Sequence, residues 1–196
     1  MVNLDNVSAK NCGGTTQCDC GDILTHSQEM WYDLDNCQNV GVDGITFSKD
    51  NLVLDCKGHA IKGINSGHGL RIIGLNNSII NDCNVENFHN GIFLGAHSKN
   101  STISKNDISS NQNTGIFLYG SDYNLLKENY LEYNGDRNSI YGGDAGIYIF
   151  RSNENLIETN TLLDNTQGIK LEDNFVNNIL RNNFIERSPE SAIYLI

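Results

Sequence analysis

The tetrapeptide Gly91-Ile-Phe-Leu94 returns unchanged 24 residues later as Gly115-Ile-Phe-Leu118. Related segments begin at residues 44, 69, 146, 168 and 192. In each of them a glycine or alanine is followed by an apolar residue, and a second apolar residue lies two positions further on. Neighbouring segments lie 22–25 residues apart, except for one interval of 31. A period of this length is typical of solenoid repeats, in which each repeat is one turn of the backbone.

Within each segment the local period is two, as in a β-strand. Ile92 and Leu94 therefore share one face and Phe93 takes the other, and the two inward positions are apolar in all seven segments. Two further apolar clusters follow in each repeat, separated by Asn, Gly, Ser and Asp. Three strands per turn predict an all-β chain, a right-handed, single-stranded parallel β-helix with about seven coils of ~23 residues. Leucine-rich repeats, with one strand per repeat, and the longer propeller blades fit less well.

The repeats also predict the domain organisation. Residues 1–40 are expected to form a cysteine-rich cap and first partial coil, because a solenoid needs a cover over its terminal apolar rung. Residues 41–196 are expected to form the β-helix. The long interval predicts a loop insertion at 134–144, at one corner of the solenoid.

Asparagine accounts for 30 of the 196 residues. A side-chain amide at a sharp turn can satisfy its own backbone and bond to the amide one coil away. Two rows one repeat apart therefore predict asparagine ladders, one after the second strand and one after the third. Their members are Asn106, Asn129, Asn160 and Asn183, and Asn111, Asn134 and Asn165.

The six cysteines predict disulfides. Cys56 and Cys83 hold the first ladder position in the two earlier coils, and stacked strands are close enough for a disulfide. Cys20–Cys37 is the second expected bond, which leaves Cys12–Cys18. Six cysteines allow 15 pairings, and a zinc site formed by Cys12, Cys18, Cys20 and Cys37 is an alternative.

Charge and cysteine use restrict partners and compartment. A net charge of −11 and an isoelectric point of about 4.7 disfavour nucleic acid as a partner, and no apolar run is long enough to span a membrane. Six cysteines favour an extracellular or cell-surface location. The first residues are not a signal peptide, so we expect a leader to be missing from this sequence. The last repeat stops inside a segment of the Gly-Ile type. This predicts either a fragment of a longer protein or self-association, end-to-end or side-by-side, through the uncapped C-terminal coil.

The outward positions of the repeated segments suggest a binding face. Aromatic rings there would form one patch, with a cation at either end and the inserted loop beside it. Exposed aromatic patches mark interfaces or ligand grooves. Aromatic rings can stack on sugar rings, and Arg or Lys side chains can pair with the carboxylates of uronate sugars. We therefore predict a polysaccharide site, with a protein contact or local packing as alternatives. The residues are Arg71, Phe93, Phe117, Tyr119, Tyr148, Phe150, Lys170, Asp136, Arg137, Tyr141 and Asp144.

Signals for catalysis and cofactors are weak. Gly67-His-Gly69 followed by Arg71 resembles a pectin-hydrolase motif, but the paired aspartates that such enzymes need are not evident. A uronan lyase, epimerase or hydrolase using Arg71, Lys170 and the loop is an alternative to binding. The histidines show no metal-binding spacing. We expect no cofactor, with calcium held by Asp136, Asp144, Glu172 and Asp173 as an alternative.

Several stretches resemble the opening of β-helix surface proteins with CASH or NosD-like, pectate-lyase-like repeats. They are Cys20-Gly-Asp-Ile, Asp33-Leu-Asp-Asn-Cys37 and Asp50-Asn-Leu-Val-Leu-Asp-Cys-Lys-Gly-His-Ala-Ile61. The resemblance implies polysaccharide binding or processing, or a structural or adhesion role at the surface. It supplies no catalytic residue, and a fold does not assign an activity. NosD is linked to copper delivery, but the sequence contains no Met/His cluster of the kind that copper prefers.

Overall fold

The computed structural model describes residues 9–35, 37, 42–136, 143–173 and 175–196. All regular elements in these ranges are β-strands. In chain order they are β1 (Asn11–Cys12), β2 (Asp22–Leu24), β3 (Gln28–Glu29), β4 (Ile45–Phe47), β5 (Val53–Asp55), β6 (Ala60–Lys62), β7 (His68–Ile73), β8 (Ile79–Asn81), β9 (Asn84–Glu86), β10 (Asn90–Gly95), β11 (Thr102–Ser104), β12 (Asp107–Ser109), β13 (Thr114–Tyr119), β14 (Leu125–Lys127), β15 (Tyr130–Glu132), β16 (Ala145–Phe150), β17 (Leu156–Glu158), β18 (Thr161–Leu163), β19 (Gln167–Glu172), β20 (Ile179–Arg181), β21 (Phe184–Glu186) and β22 (Ser191–Leu195).

The strands form three sheets, and neighbours within each sheet run parallel. Sheet I has the order β1-β2-β4-β7-β10-β13-β16-β19-β22 and contains the Gly-Ile segments. Sheet II has the order β3-β5-β8-β11-β14-β17-β20, and sheet III the order β6-β9-β12-β15-β18-β21. From β4 onward the backbone passes through sheets I, II and III once per coil. The prediction of an all-β parallel solenoid with about seven coils is therefore confirmed.

The inward residues of sheet I stack into columns. Ile92, Ile116 and Ile147 are paired in register on successive strands and are fully buried. A glycine precedes each of them because the coils approach closely at that point. A Cβ on Gly91 would lie 2.7 Å from the carbonyl oxygen of Gly115, which is too close for any side chain. The repeated Gly-Ile pair thus combines a tight backbone contact with a core residue.

Asparagine ladders connect the coils at the corners, as predicted. In one ladder the side-chain amide of Asn106 donates to Oδ1 of Asn129 (2.9 Å), and that of Asn129 donates to Oδ1 of Asn160 (2.9 Å). The second predicted ladder connects Asn111 to Asn134 and then Asn165. A third ladder, which the sequence analysis did not identify, joins Asn124, Asn155 and Asn178 before the strands of sheet II.

All six cysteines form disulfides. Cys56–Cys83 continues the ladder position of Asn106, with 4.7 Å between the two Cα atoms, and the backbone N–H of Cys83 donates to Oδ1 of Asn106 (3.0 Å). The predicted pairs Cys12–Cys18 and Cys20–Cys37 are both present. The zinc alternative for these four cysteines is therefore wrong, because their sulfur atoms are bonded to one another.

The last coil leaves apolar rungs open. Ile193 and Leu195 occupy the inward columns of sheet I, yet 49% and 60% of their surfaces are exposed. The equivalent residues one coil earlier, Ile169 and Leu171, are buried. Within the described ranges, no helix has the length and apolar character needed to cross a membrane.

Candidate functional site

The outer face of sheet I brings five predicted aromatic residues together. Phe93, Phe117 and Tyr148 are paired in register on β10, β13 and β16. Tyr119 and Phe150, two positions further along β13 and β16, are paired in the next outward row. Strand alternation places both rows on the solvent side because the residues between them point into the core. We call these five residues the aromatic face.

Rings of the first row stack on one another along the solenoid axis. Phe117 and Tyr148 are nearly parallel, with ring centroids 4.8 Å apart, and Phe93 lies 5.4 Å from Phe117. His68 extends the stack, with its ring 4.5 Å from that of Phe93. We call these four residues the ring column. Because the inner rings cover each other's faces, they turn mainly their edges outward, and Tyr148 is only 8% exposed.

His68 was not among the residues predicted for this face. It is the first residue of β7, and in the sheet register it lies opposite Asn90, whose side-chain amide is 3.2 Å from its Nδ1. Asn113 donates to Oδ1 of Asn90 (2.9 Å), which orients that amide so that its NH2 group faces the imidazole. Nδ1 is therefore an acceptor, and the proton lies on Nε2 of a neutral ring. Burial also favours the neutral form and lowers the pKa of His68 to about 4.

A partly buried ion pair closes the other end of the ring column. Lys170 Nζ lies 4.6 Å from the ring centroid of Tyr148 and 2.8 Å from Oε2 of Glu172. The Tyr148 hydroxyl donates to the same carboxylate oxygen (2.7 Å). The hydrogen bond from Lys170 lowers the pKa of Glu172, whereas burial, followed by the bond to Glu172, raises the pKa of Tyr148. Lys170, Glu172 and Tyr148 therefore hold one another in place at the edge of the aromatic face.

Arg71 is also paired, with its guanidinium 3.4 Å from Oδ2 of Asp43. Arg71 and Lys170 were predicted to bind the carboxylates of an acidic sugar. In the structure each of them already faces a carboxylate of the protein itself. An acidic ligand would have to compete with Asp43 and Glu172 for these cations.

The second row is more open. Tyr119 stacks on Phe150 with 5.4 Å between ring centroids, and Tyr119 is 43% exposed. Arg151, which sequence analysis missed, lies with its guanidinium carbon 4.9 Å from the Phe150 ring centroid. It donates to Asp173 (2.6 Å). Arg151 directly follows the last residue of β16, and that position is the sequence signal that could have identified it.

The inserted segment contributes two described acids. The backbone N–H of Asp136 donates to Oδ1 of Asp144 (3.1 Å), and burial raises the pKa of Asp144. Arg137 and Tyr141 lie outside the described residues. Asp144 precedes the start of β16, whereas Glu172 pairs with Phe150 at its end. Six strand residues, about 20 Å, separate the two positions, so the four acids expected to bind calcium do not come together.

One comparison with known proteins gave a match. Residues 22–188 match the family described as periplasmic copper-binding protein, NosD. The comparison with curated proteins and the comparison with solved structures found no match.

The family description raises the question of a copper site. Every cysteine is held in a disulfide, Met30 is buried in the core, and His59 bonds to Asp33. Among the described residues, no group of three or more His, Cys, Asp or Glu side chains could hold a metal ion. The donors that the structure describes therefore do not fit a copper centre.

Proposed function

The chain belongs to the NosD family, and we propose that it is a β-helix protein of the cell surface or periplasm that binds polysaccharide along the aromatic face. The observation that carries this proposal is the continuity of the face. Five aromatic side chains lie on three consecutive coils, in two adjoining rows on the outer side of one sheet. Such patches on a soluble protein mark binding surfaces.

The disulfides support the location. Three bonds close the first coils, and such bonds form and persist in oxidising compartments but are rare in the cytosol. A periplasmic or external protein meets the polysaccharides of the cell envelope and its surroundings. The proposed location and the proposed ligand are therefore consistent with each other.

The chemistry of the face favours a glycan over other polymers. A net charge of −11 repels nucleic acids and anionic membranes. The rings supply apolar surface, and Arg151 and Glu172 border them with groups that can bond to hydroxyls. Glycans present both apolar C–H surfaces and many hydroxyls, so this mixture of apolar and polar groups suits them.

Affinity gel electrophoresis tests the proposal. We expect a neutral glucan, a mannan or a polyuronate in the gel to retard the protein, and the double variant Tyr119→Ala/Phe150→Ala to lose at least about tenfold in affinity. The control Tyr123→Ala/Tyr133→Ala removes two exposed tyrosines outside the face and should migrate like the wild type. Failure of all three polymers to retard the wild type, or equal retardation of both double variants, would refute glycan binding at this face.

A further inference from the structure

Tyr119 differs from the other rings of the aromatic face in its exposure. It is 43% exposed, whereas Phe93, Phe117 and Phe150 are half-buried and Tyr148 is buried. One face of the Tyr119 ring stacks on Phe150. Its other face is turned toward the neighbouring strand β10, away from Phe150. The neighbour on that side decides what can stack there.

That neighbour is Gly95, the register partner of Tyr119 on β10. The outward row thus passes from Ile73 on β7 to Gly95, which has no side chain, before it reaches Tyr119. A Cβ built on Gly95 would lie 2.7 Å from Cζ of Phe93, so the tip of the Phe93 ring fits against the bare backbone. The Phe93 ring thus covers Gly95, which is buried, and lays an apolar surface beside Tyr119 on this side.

The Tyr119 ring is also held in place. Phe150 supports it from one side, and Phe117 meets it edge-on with 6.2 Å between centroids. Phe150 is covered in turn by Arg151, which pairs with Asp173. A ring that is fixed before a ligand arrives loses little conformational entropy on binding.

The charges around Tyr119 disfavour an acidic ligand. Arg151 pairs with Asp173, Lys170 pairs with Glu172, and Glu172 continues the row beyond Phe150. Each of these cations already has a carboxylate partner, so a uronate would have to displace a carboxylate of the protein. An uncharged sugar avoids this competition, and the C–H face of its ring matches the open face of Tyr119.

We propose that Tyr119, with the Phe93 ring covering Gly95 beside it, is a stacking subsite for an uncharged pyranose ring of the bound glycan. This inference rests on the proposed function and specifies it further, since it names one ring and one class of sugar. The ring column beside it, from His68 to Tyr148, supports the face through packing between its own rings.

The test measures how strongly three affinity gels retard the protein at the same ionic strength. Two gels contain an uncharged polymer, a neutral glucan or a mannan, and the third contains polygalacturonate. We expect wild type to bind a neutral polymer more tightly than the polyuronate. Tyr119→Ala should weaken that binding about tenfold or more. Tyr119→Phe should stay within about threefold of wild type, since it keeps the ring. Tyr123→Ala is the matched control, and melting curves verify that each variant is folded.

The outcomes separate this inference from the proposed function. If no polymer retards the wild type, glycan binding fails and the subsite with it. If wild type binds but Tyr119→Ala binds equally well, only the subsite is wrong. Preference for polygalacturonate would overturn the assignment to uncharged sugars. A loss in Tyr119→Phe as large as in Tyr119→Ala would assign the contact to the hydroxyl and overturn stacking.

Discussion

Asn129 shows how a single side chain can connect successive coils. Its Oδ1 accepts hydrogen bonds from the backbone N–H and the side-chain amide of Asn106. Its own amide donates to the carbonyl of Ile103 (2.9 Å) and to Oδ1 of Asn160 (2.9 Å). The residue is 1% exposed, so water cannot replace any of these four bonds.

We therefore expect Asn129→Ala to lower the free energy of unfolding by about 3 kcal/mol or more, because it leaves several buried polar groups unpaired. Urea denaturation measures the change. The control Asn84→Ala removes an exposed amide with one bond to Gly58 and should cost less than about 1 kcal/mol. Equal losses in the two variants would show that the ladder does not stabilise the fold.

His68 gives the ring column a dependence on pH. Its folded pKa is about 4 against an ordinary value of 6.5 because burial opposes its charged form. As pH falls below 6.5, the unfolded chain binds a proton that folded His68 does not, so stability decreases until about pH 4. Asp43 moderates the shift, while Arg71 and His89 add to it.

We predict that His68→Phe, which keeps a ring beside Phe93, shows a shallower loss of stability between pH 6.5 and 4 than the wild type. Urea midpoints across this range test the prediction. His26→Phe removes an exposed histidine outside the ring column and serves as the control. A slope in His68→Phe parallel to that of wild type would show that His68 does not titrate as described.

Sequence predicted which residues share a row but not how their side chains pack. Alternation and repeat spacing are backbone properties, so they placed Phe93, Phe117 and Tyr148 in one row correctly. Whether those rings face the solvent or each other depends on side-chain torsions, which spacing does not encode. The partners of Lys170 and Arg71 were missed for the same reason. The ladder of Asn124, Asn155 and Asn178 was visible as a recurring Asn before the second strand, and only its role was overlooked.

Among the elements, the strands of sheet I carry the site because they are the longest. From β7 to β19 they have six residues each, against three in sheets II and III from β5 onward. A strand of six residues is long enough for two outward positions after its first residue. These two positions hold the two rows of the aromatic face. The long repeat interval does not disturb this pattern, because β16 pairs with β13 in the same register that β13 keeps with β10. Inward apolar residues fix this register on both sides of the long interval.

The Cys56–Cys83 bond occupies two positions of an asparagine ladder, which leads to a prediction about substituting the two cysteines. Replacing both cysteines with serine should cost about 2–4 kcal/mol of unfolding free energy. Replacing both with asparagine should cost less, because Asn side chains at these positions would extend the ladder that starts at Asn106. Urea denaturation of the three proteins in one buffer compares them. A double asparagine variant no more stable than the serine variant would contradict this role of the position.

At the scale of the whole molecule, the open apolar rung at the last coil bears on association. Self-association through this coil stays a prediction. Sedimentation velocity should show a weight-average mass that rises with concentration for the wild type and stays constant for Ile193→Asp. That substitution falls on an exposed rung, so the fold should survive it. A wild type that remains monomeric at all concentrations would contradict self-association.

In the solenoid as a whole, the residues that stabilise the fold are separate from those that form the proposed binding surface. Its interior columns, ladders and disulfides hold the coils in register, and the outer side of sheet I is left to present rings on three successive coils. This division explains why the fold could be predicted from the repeats in much greater detail than the ligand. Every repeat contributes to the interior pattern, whereas only three coils contribute to the aromatic face.

A crystal structure of the protein with a bound neutral oligosaccharide tests glycan binding by the aromatic face most directly. We predict sugar density against the outer side of sheet I, between β10 and β16, with one pyranose ring on Tyr119. Sugar bound to sheet II, to sheet III or to the end of the solenoid, with the aromatic face bare, would contradict it.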